Sequence, residues 1–191
     1  MTSPATGLDW PFTTERLSLR PAVAADLPAI FGYRQQESVA QWMTARPADE
    51  AEFSAQIAGK LDGTVVVERE GDLVGDLYFA IEDAWSQTEV REQAAGVQAE
   101  IGWCLDPAHT GRGYATEAVE ELLRISFEEL GLRRVFAQCF AANEASWRLM
   151  ERLGMRREQH TTRDSLHRNG EWLDGMMYAL LAEEWRARTG A

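Results

Sequence analysis

The stretch from Glu100 to Gly131 constrains the fold most, because its periodicity changes from that of a strand to that of a helix around two closely spaced glycines. Its first six residues, EIGWCL, are mostly apolar or aromatic, and Asp106–Pro107 follows, which is typical of a short strand that ends there. From Tyr114 onward apolar residues recur at helical spacing, and Gly131 stands where such a helix would end. The sequence therefore predicts a strand, a tight turn and an amphipathic helix.

The turn itself has the sequence TGRGYA and spans residues 110–115. Two glycines separated by one residue permit backbone dihedrals that a Cβ would forbid, and they let a ligand approach the main chain. The first N–H groups of a helix have no partner within it and carry the positive end of its dipole, so this turn can bind an anion, with Arg112 adding a charge. A turn that needs glycine only for its shape gives the same pattern, so both interpretations stand on these residues alone.

TGRGYATEA, after a strand that ends in GWCLDP, resembles the acetyl-CoA signature of the GNAT N-acetyltransferase superfamily, and within it the Rim-type branch that acetylates protein N-termini. The signature Gln/Arg-x-x-Gly-x-Gly/Ala corresponds to residues 110–115, and Thr110 departs from its first position. The resemblance covers most of the chain, from Thr14 to Trp185. It implies an α/β fold, the GNAT fold, whose mixed, mostly antiparallel sheet of about seven strands splays at the centre and is flanked by helices.

The rest of the chain is consistent with such a fold. We expect a flexible leader over residues 1–13 and a single acetyltransferase domain over residues 14–188. Residues 83–98 are long and polar for a link between strands, which predicts either a small helix or a functional flap, with Trp85 as its only large anchor. The other expected elements are a strand at 14–20, helices at 26–36 and 47–61, a hairpin at 63–81, a strand at 133–140, a helix capped by Asn143 and followed by Gly154, and a hairpin at 163–180 with Asn169–Gly170 at its turn.

Composition excludes several classes of protein. The net charge is −12, so nucleic acid is a poor partner, and no apolar run approaches the roughly 20 residues of a membrane helix. The N-terminus lacks the pattern of a signal peptide, and the two cysteines fall in predicted core strands, so we expect a cytoplasmic protein. Residues 1–100 hold 7 Lys+Arg against 17 Asp+Glu and residues 101–191 hold 12 against 14, so a polyanionic cofactor would meet the less acidic half.

The resemblance implies acetyl-CoA as cosubstrate. No metal is expected, because His109, His160 and His167 form no recognisable metal-binding pattern. Main-chain N–H groups around the end of the strand would contact the thioester, the glycine turn would hold the pyrophosphate, and Asn143 would bind the pantetheine arm. The residues that this assigns to the cofactor are Trp103, Cys104, Leu105, Thr110, Gly111, Arg112, Gly113, Tyr114, Ala115, Asn143 and Ser146.

Two carboxylates are candidates for the base that deprotonates the acceptor, Glu82 and Glu100, with a slight preference for Glu82. Each is equally well explained as a solvated strand residue. Many family members protonate the leaving thiolate with a tyrosine, but Met150 occupies that position here, so Ser146 is the candidate acid. Cys104 as a covalent nucleophile is the weaker alternative, because no histidine is spaced to activate it.

The sequence thus predicts an acetyl-CoA-dependent N-acetyltransferase whose acceptor is a primary amine, either a protein or peptide N-terminal α-amine or a small cationic amine. A non-catalytic acyl-CoA-binding module and an ordinary α/β domain that binds another phosphate ligand are the rival interpretations. Neither nucleic acid nor a membrane is expected as a partner, and a homodimer is left open.

Overall fold

The computed structural model describes residues 7–190. Its strands are β1 (Phe12–Thr13), β2 (Ser18–Pro21), β3 (Thr64–Arg69), β4 (Asp72–Glu82), β5 (Gln98–Leu105), β6 (Arg134–Phe140), β7 (Arg156–Leu166) and β8 (Trp172–Leu181). Its α-helices are α1 (Leu27–Arg34), α2 (Glu37–Ala40), α3 (Glu50–Ile57), α4 (Tyr114–Arg124), α5 (Glu144–Arg152) and α6 (Ala182–Thr189). Within residues 7–190, none of the helices has the length and apolar character needed to span a membrane.

The strands form one eight-stranded sheet in the order β1-β2-β3-β4-β5-β6-β8-β7. The β5–β6 pair is parallel, and it joins Gln98–Glu100 to Arg134–Phe136. The pairs β1–β2, β2–β3, β3–β4, β6–β8 and β7–β8 are antiparallel. The predicted α/β class and mixed, mostly antiparallel sheet are therefore confirmed, with eight strands instead of about seven. Residues 1–6 of the expected leader lie outside the described residues, and Phe12–Thr13 within it form β1.

Contacts divide the described chain into two compact units, residues 80–101 with 122–190, and residues 7–79 with 102–121. The core of the second unit packs α1 and α3 on β3, through Ala22, Leu27, Ile30, Tyr33, Phe53, Val66 and Cys104. In the first unit Trp185 stacks on Phe127 with ring centroids 5.8 Å apart, and its indole N–H donates to Glu128 over 2.8 Å.

Both predicted hairpins are present. The first turns at Glu70–Gly71, and both residues have positive φ, +54° and +92°, as a two-residue turn of this kind requires. The second turns around Asn169–Gly170, but β7 begins at Arg156, earlier than expected. The first part of β7, residues 156–162, was missed because most of its residues are polar and exposed, so no apolar alternation marks it.

Two other expectations need correction. The helix predicted at 47–61 is α3, which starts only at Glu50, because Asp49 is its N-cap and accepts from the Glu52 N–H over 2.8 Å. Residues 83–97 contain the small helix that was one of two alternatives, a 3₁₀ segment at Thr88–Ala94. Trp85 does not anchor it, since its side chain is 92% exposed.

Candidate functional site

The glycine turn leads from β5 into α4, as the sequence predicts. After β5, Asp106 accepts from the Ala108 N–H over 3.0 Å, and the Thr110 hydroxyl donates to the Pro107 carbonyl over 2.9 Å. Gly111 and Gly113 then have φ of +75° and +82°, a conformation that L side chains rarely adopt. No described atom lies within 4 Å of the position that a Cβ would take at Gly111, so the main chain there is accessible.

Arginines from elsewhere in the chain lie against this turn. The Arg16 guanidinium donates to the Glu117 carboxylate through Nε (2.7 Å) and to the Arg112 carbonyl through Nη1 (3.1 Å). Its Cζ is 4.8 Å from the centre of the Tyr114 ring, and the Cζ of Arg69 is 5.6 Å from it. Arg16 and Arg69 belong to the more acidic half of the sequence, so the positive charge around the glycine turn does not come from the less acidic half alone.

Glu117 belongs to this arrangement as well, although by helical periodicity it falls opposite the apolar face of α4 formed by Ala115, Ala118 and Leu122. The Thr14 hydroxyl donates to its Oε1 over 2.5 Å and the Arg16 N–H over 3.0 Å. Burial alone would raise the pKa of Glu117, but the hydrogen bonds from Thr14 and Arg16 outweigh it and lower that pKa. The carboxylate therefore stays ionised and joins the first turn of α4 to the loop before β2.

The end of β5 holds the predicted main-chain donors. A Cβ at Gly75 would lie 2.6 Å from the Cys104 carbonyl oxygen, and the Asp106 N–H donates to Val74 over 3.0 Å. The main chain of residues 104 and 106 thus faces β4. Because successive residues of a strand direct their N–H groups to opposite sides, those of Trp103 and Leu105 point away from β4.

The Cys104 side chain is unsuited to a nucleophile. It is 6% exposed, and burial raises the pKa of its thiol far above the usual range. The reactive form of cysteine is the thiolate, so this observation counts against covalent catalysis through Cys104. Cys104 belongs to the same core cluster as Tyr33 and Val66, which explains why a small, largely apolar side chain occupies this position.

Both candidate bases belong to the first unit, Glu82 at the end of β4 and Glu100 on the neighbouring strand β5. Both are half-buried, and Gln138 donates to Glu100 over 3.4 Å. Burial raises the pKa of Glu100, the charge of Glu82 raises it further, and the Gln138 hydrogen bond acts in the opposite direction. The structure therefore brings the two carboxylates close enough to interact electrostatically.

Asn143 and Ser146 lie at the start of α5, also in the first unit. Asn143 occupies the predicted N-cap position, but its side chain makes no capping hydrogen bond to any described N–H group. The Ser146 hydroxyl hydrogen-bonds the Cys139 thiol of β6; burial raises the pKa of Cys139 to about 11, and this bond opposes the rise. Met150, at the position of the family's tyrosine, is fully buried and cannot serve as an acid.

Comparison with known proteins identifies the family. Residues 16–156 match the family model described as Acetyltransferase (GNAT) domain. The uncharacterized N-acetyltransferase YnaD of Bacillus subtilis (strain 168) is 30% identical over 178 residues, which cover 91% of this chain and 98% of that protein. The crystal structure of a GNAT-family acetyltransferase from Bacillus anthracis has a TM-score of 0.77 at 30% identity, covering 92% of this chain and 100% of that one.

A more distant likeness concerns the fold alone. RimL, the ribosomal L7/L12 alpha-N-protein acetyltransferase, solved in complex with coenzyme A, has a TM-score of 0.76 at 20% identity, covering 90% of this chain and 97% of that one. The resemblance inferred from the TGRGYA turn is thus confirmed over most of the chain, and so is the GNAT fold. This chain belongs to the GNAT family of N-acetyltransferases, whose members use acetyl-CoA.

Proposed function

We propose that the protein transfers the acetyl group of acetyl-CoA to a primary amine, with Glu100 as the base. The observation that carries the proposal is the pair of carboxylates on β4 and β5, because the charge of Glu82 and partial burial both raise the pKa of Glu100. A carboxylate of raised pKa is a stronger base than an ordinary glutamate, and its proton affinity is closer to that of an amine. This observation favours Glu100 over Glu82, which the sequence slightly preferred.

The glycine turn fits the pyrophosphate of the donor. Its two glycines hold left-handed dihedrals, the position beside Gly111 is open, and α4 begins directly after the turn. Main-chain N–H groups at the start of a helix bind phosphate oxygens, and Arg112 adds positive charge. Thr110 departs from the signature, and its hydroxyl donates to the Pro107 carbonyl in the preceding turn. Binding of the pyrophosphate is therefore proposed not to depend on the Thr110 side chain.

The remaining assignments follow from where donors are available. The N–H groups of Trp103 and Leu105 are proposed to stabilise the thioester carbonyl as negative charge develops on its oxygen. Asn143, whose side chain is not used in capping, is proposed to bind the pantetheine arm. Ser146 is proposed to protonate the departing thiolate, since it lies in the first turn of α5 and carries a hydroxyl, whereas the buried Met150 has no proton to donate.

The acceptor must lose a proton before it attacks, and Glu100 accepts that proton directly or through a water. An α-amine has a pKa of about 7.7–8.0 and a lysine amine about 10.4, so a weaker base is enough to deprotonate the α-amine. Glu82 supplies a second negative charge that attracts the ammonium form of the acceptor. Both a peptide N-terminus and a small cationic amine meet these requirements.

A direct test is release of free CoA thiol from acetyl-CoA in the presence of matched acceptors. The panel is an unacetylated peptide, the same peptide with its N-terminus blocked and one internal lysine, and a linear polyamine. Amine-dependent thiol release, with a mass increase of the acceptor by one acetyl group, is the expected result. If the protein binds CoA tightly but releases no thiol with any amine, it is an acyl-CoA-binding module and the proposal is wrong.

A further inference from the structure

Arg16 makes an unusual set of contacts for a residue in a loop between two short strands. Its Nε and Nη2 both approach Oε2 of Glu117, at 2.7 and 2.5 Å, while its own N–H donates to Oε1 of the same carboxylate. Its Nη1 donates to the Arg112 carbonyl over 3.1 Å. One side chain therefore joins the first turn of α4 to the middle of the glycine turn.

These contacts determine how the peptide between Arg112 and Gly113 is oriented. The carbonyl and N–H of a trans peptide point in opposite directions. Since the Arg112 carbonyl points to the Arg16 guanidinium, the Gly113 N–H points away from it. The next peptide is fixed as well, because the Gly113 carbonyl accepts from the Glu117 N–H over 3.1 Å.

The guanidinium also covers one side of Gly113, where a Cβ would lie 3.4 Å from Nη2 of Arg16. The opposite side, to which the N–H points, is the side on which an anion can be bound by the main chain. Arg16 thus contacts the turn on the side opposite to the one available to an anion.

The charge of Arg16 does not by itself account for its position. The Glu117 carboxylate carries the opposite charge at hydrogen-bonding distance, so at a ligand farther away the Coulomb energies of the two charges largely cancel. The geometry of the guanidinium explains the position instead, because this planar group can hydrogen-bond a carboxylate and a carbonyl at the same time. A lysine cannot reproduce that geometry, because its ammonium is a compact point charge.

We propose that Arg16 is a positioning residue, which orients the Arg112–Gly113 peptide so that the main-chain N–H groups of the turn receive the pyrophosphate of the acyl donor. The inference rests on the proposed function, in which this turn binds acetyl-CoA. It extends that function to a residue nearly a hundred positions earlier in the chain, outside the signature.

The test compares three donors that differ in their phosphates: acetyl-CoA, acetyl-dephospho-CoA, which lacks the 3′-phosphate, and acetyl-pantetheine, which lacks the pyrophosphate as well. The variants are Arg16→Lys and Arg16→Ala, with Arg186→Ala on α6 as a control for loss of one exposed arginine. Both Arg16 variants should raise KM about tenfold for acetyl-CoA and for acetyl-dephospho-CoA, about 1.4 kcal/mol, with kcat nearly unchanged. Their kcat/KM for acetyl-pantetheine and all parameters of Arg186→Ala should equal those of the wild type.

Other results overturn the inference in distinguishable ways. An equal loss with acetyl-pantetheine shows that Arg16 only supports folding, and an unchanged KM with every donor shows that it has no role. A defect that disappears with acetyl-dephospho-CoA and is rescued by lysine shows direct binding of the 3′-phosphate. Failure of the wild type to use acetyl-CoA at all refutes the proposed function itself, whatever the variants do.

Discussion

Replacing Gly113 by alanine should weaken CoA binding more than it weakens the fold. Gly113 has a φ of +82°, and an L residue in the left-handed region costs about 1–2 kcal/mol. Its Cβ would also lie 3.4 Å from Nη2 of Arg16, the group that holds the adjacent peptide. That distance is an ordinary contact, so the strain comes from the dihedral alone. The variant can relieve this strain by rotating the peptide, and the N–H group then no longer points to the side where we propose that the pyrophosphate binds.

If the turn must return to its native form to bind, the same 1–2 kcal/mol appears as a roughly 5- to 30-fold increase in the CoA dissociation constant. The dissociation constant is measured by titration calorimetry and the stability by thermal unfolding. Gly131→Ala is the matched control. Gly131 follows the π-helical segment Ile125–Glu129 that continues α4, it has a φ of +63°, and no described atom lies within 4 Å of its Cβ position.

Gly113→Ala should therefore lose affinity, with a smaller loss of stability than Gly131→Ala, and Gly131→Ala should keep the affinity of the wild type. Wild-type CoA affinity in Gly113→Ala would refute the assignment of the glycine turn to the cofactor.

Three further outcomes are expected. Glu82→Gln removes a charge that raises the pKa of Glu100, so the acidic limb of the kcat/KM profile should move to lower pH; an unmoved limb would mean that the two groups do not interact in solution. Ser146→Ala should lower kcat by roughly 10²-fold, and wild-type turnover would instead mean that water protonates the departing thiolate. The same variant should slow alkylation of Cys139, because the hydrogen bond that it loses had lowered the pKa of that thiol. The folded-state pKa of Glu117 is lowered, so its contribution to stability is present above about pH 4.3 and is lost as the pH falls further. Glu117→Gln should therefore lower the melting temperature at pH 7, and the difference from the wild type should become smaller in acid. A difference that stays constant with pH would contradict this.

Local signals in the sequence predict the parts of the site that lie within one strand–turn–helix. Gly111 and Gly113 are visible because a turn of this shape needs residues without a Cβ, and the onset of helical periodicity at Tyr114 marks the start of α4. Glu100 is a candidate for a different reason, because the family resemblance places a glutamate either on this strand or at the end of the preceding one. The sheet class follows from the order of hairpins and the crossover helix.

The contacts of Arg16 could not be predicted in this way. Arg16 and Glu117 are 101 residues apart, and each alone reads as an exposed charge, since a periodicity pattern shows which face of a helix is polar but not what meets it. The same limit applies to β7, whose exposed edge residues carry no apolar alternation, and to Trp85, whose size suggests an anchor although its side chain is exposed. Side chains that act through tertiary contacts leave no mark on the local sequence.

The most direct test of the account is the pH dependence of acetyl transfer by Glu100→Gln, followed as thiol release with one acceptor at saturating acetyl-CoA. The substitution keeps the size and hydrogen bonding of the side chain but removes its ability to accept a proton. Glu183→Gln, an exposed acid of α6, serves as the control. The account predicts that Glu100→Gln loses turnover near pH 7 and recovers it as the pH approaches the pKa of the amine, while Glu183→Gln follows the wild type. A profile of Glu100→Gln that coincides with that of the wild type would show that Glu100 is not the base.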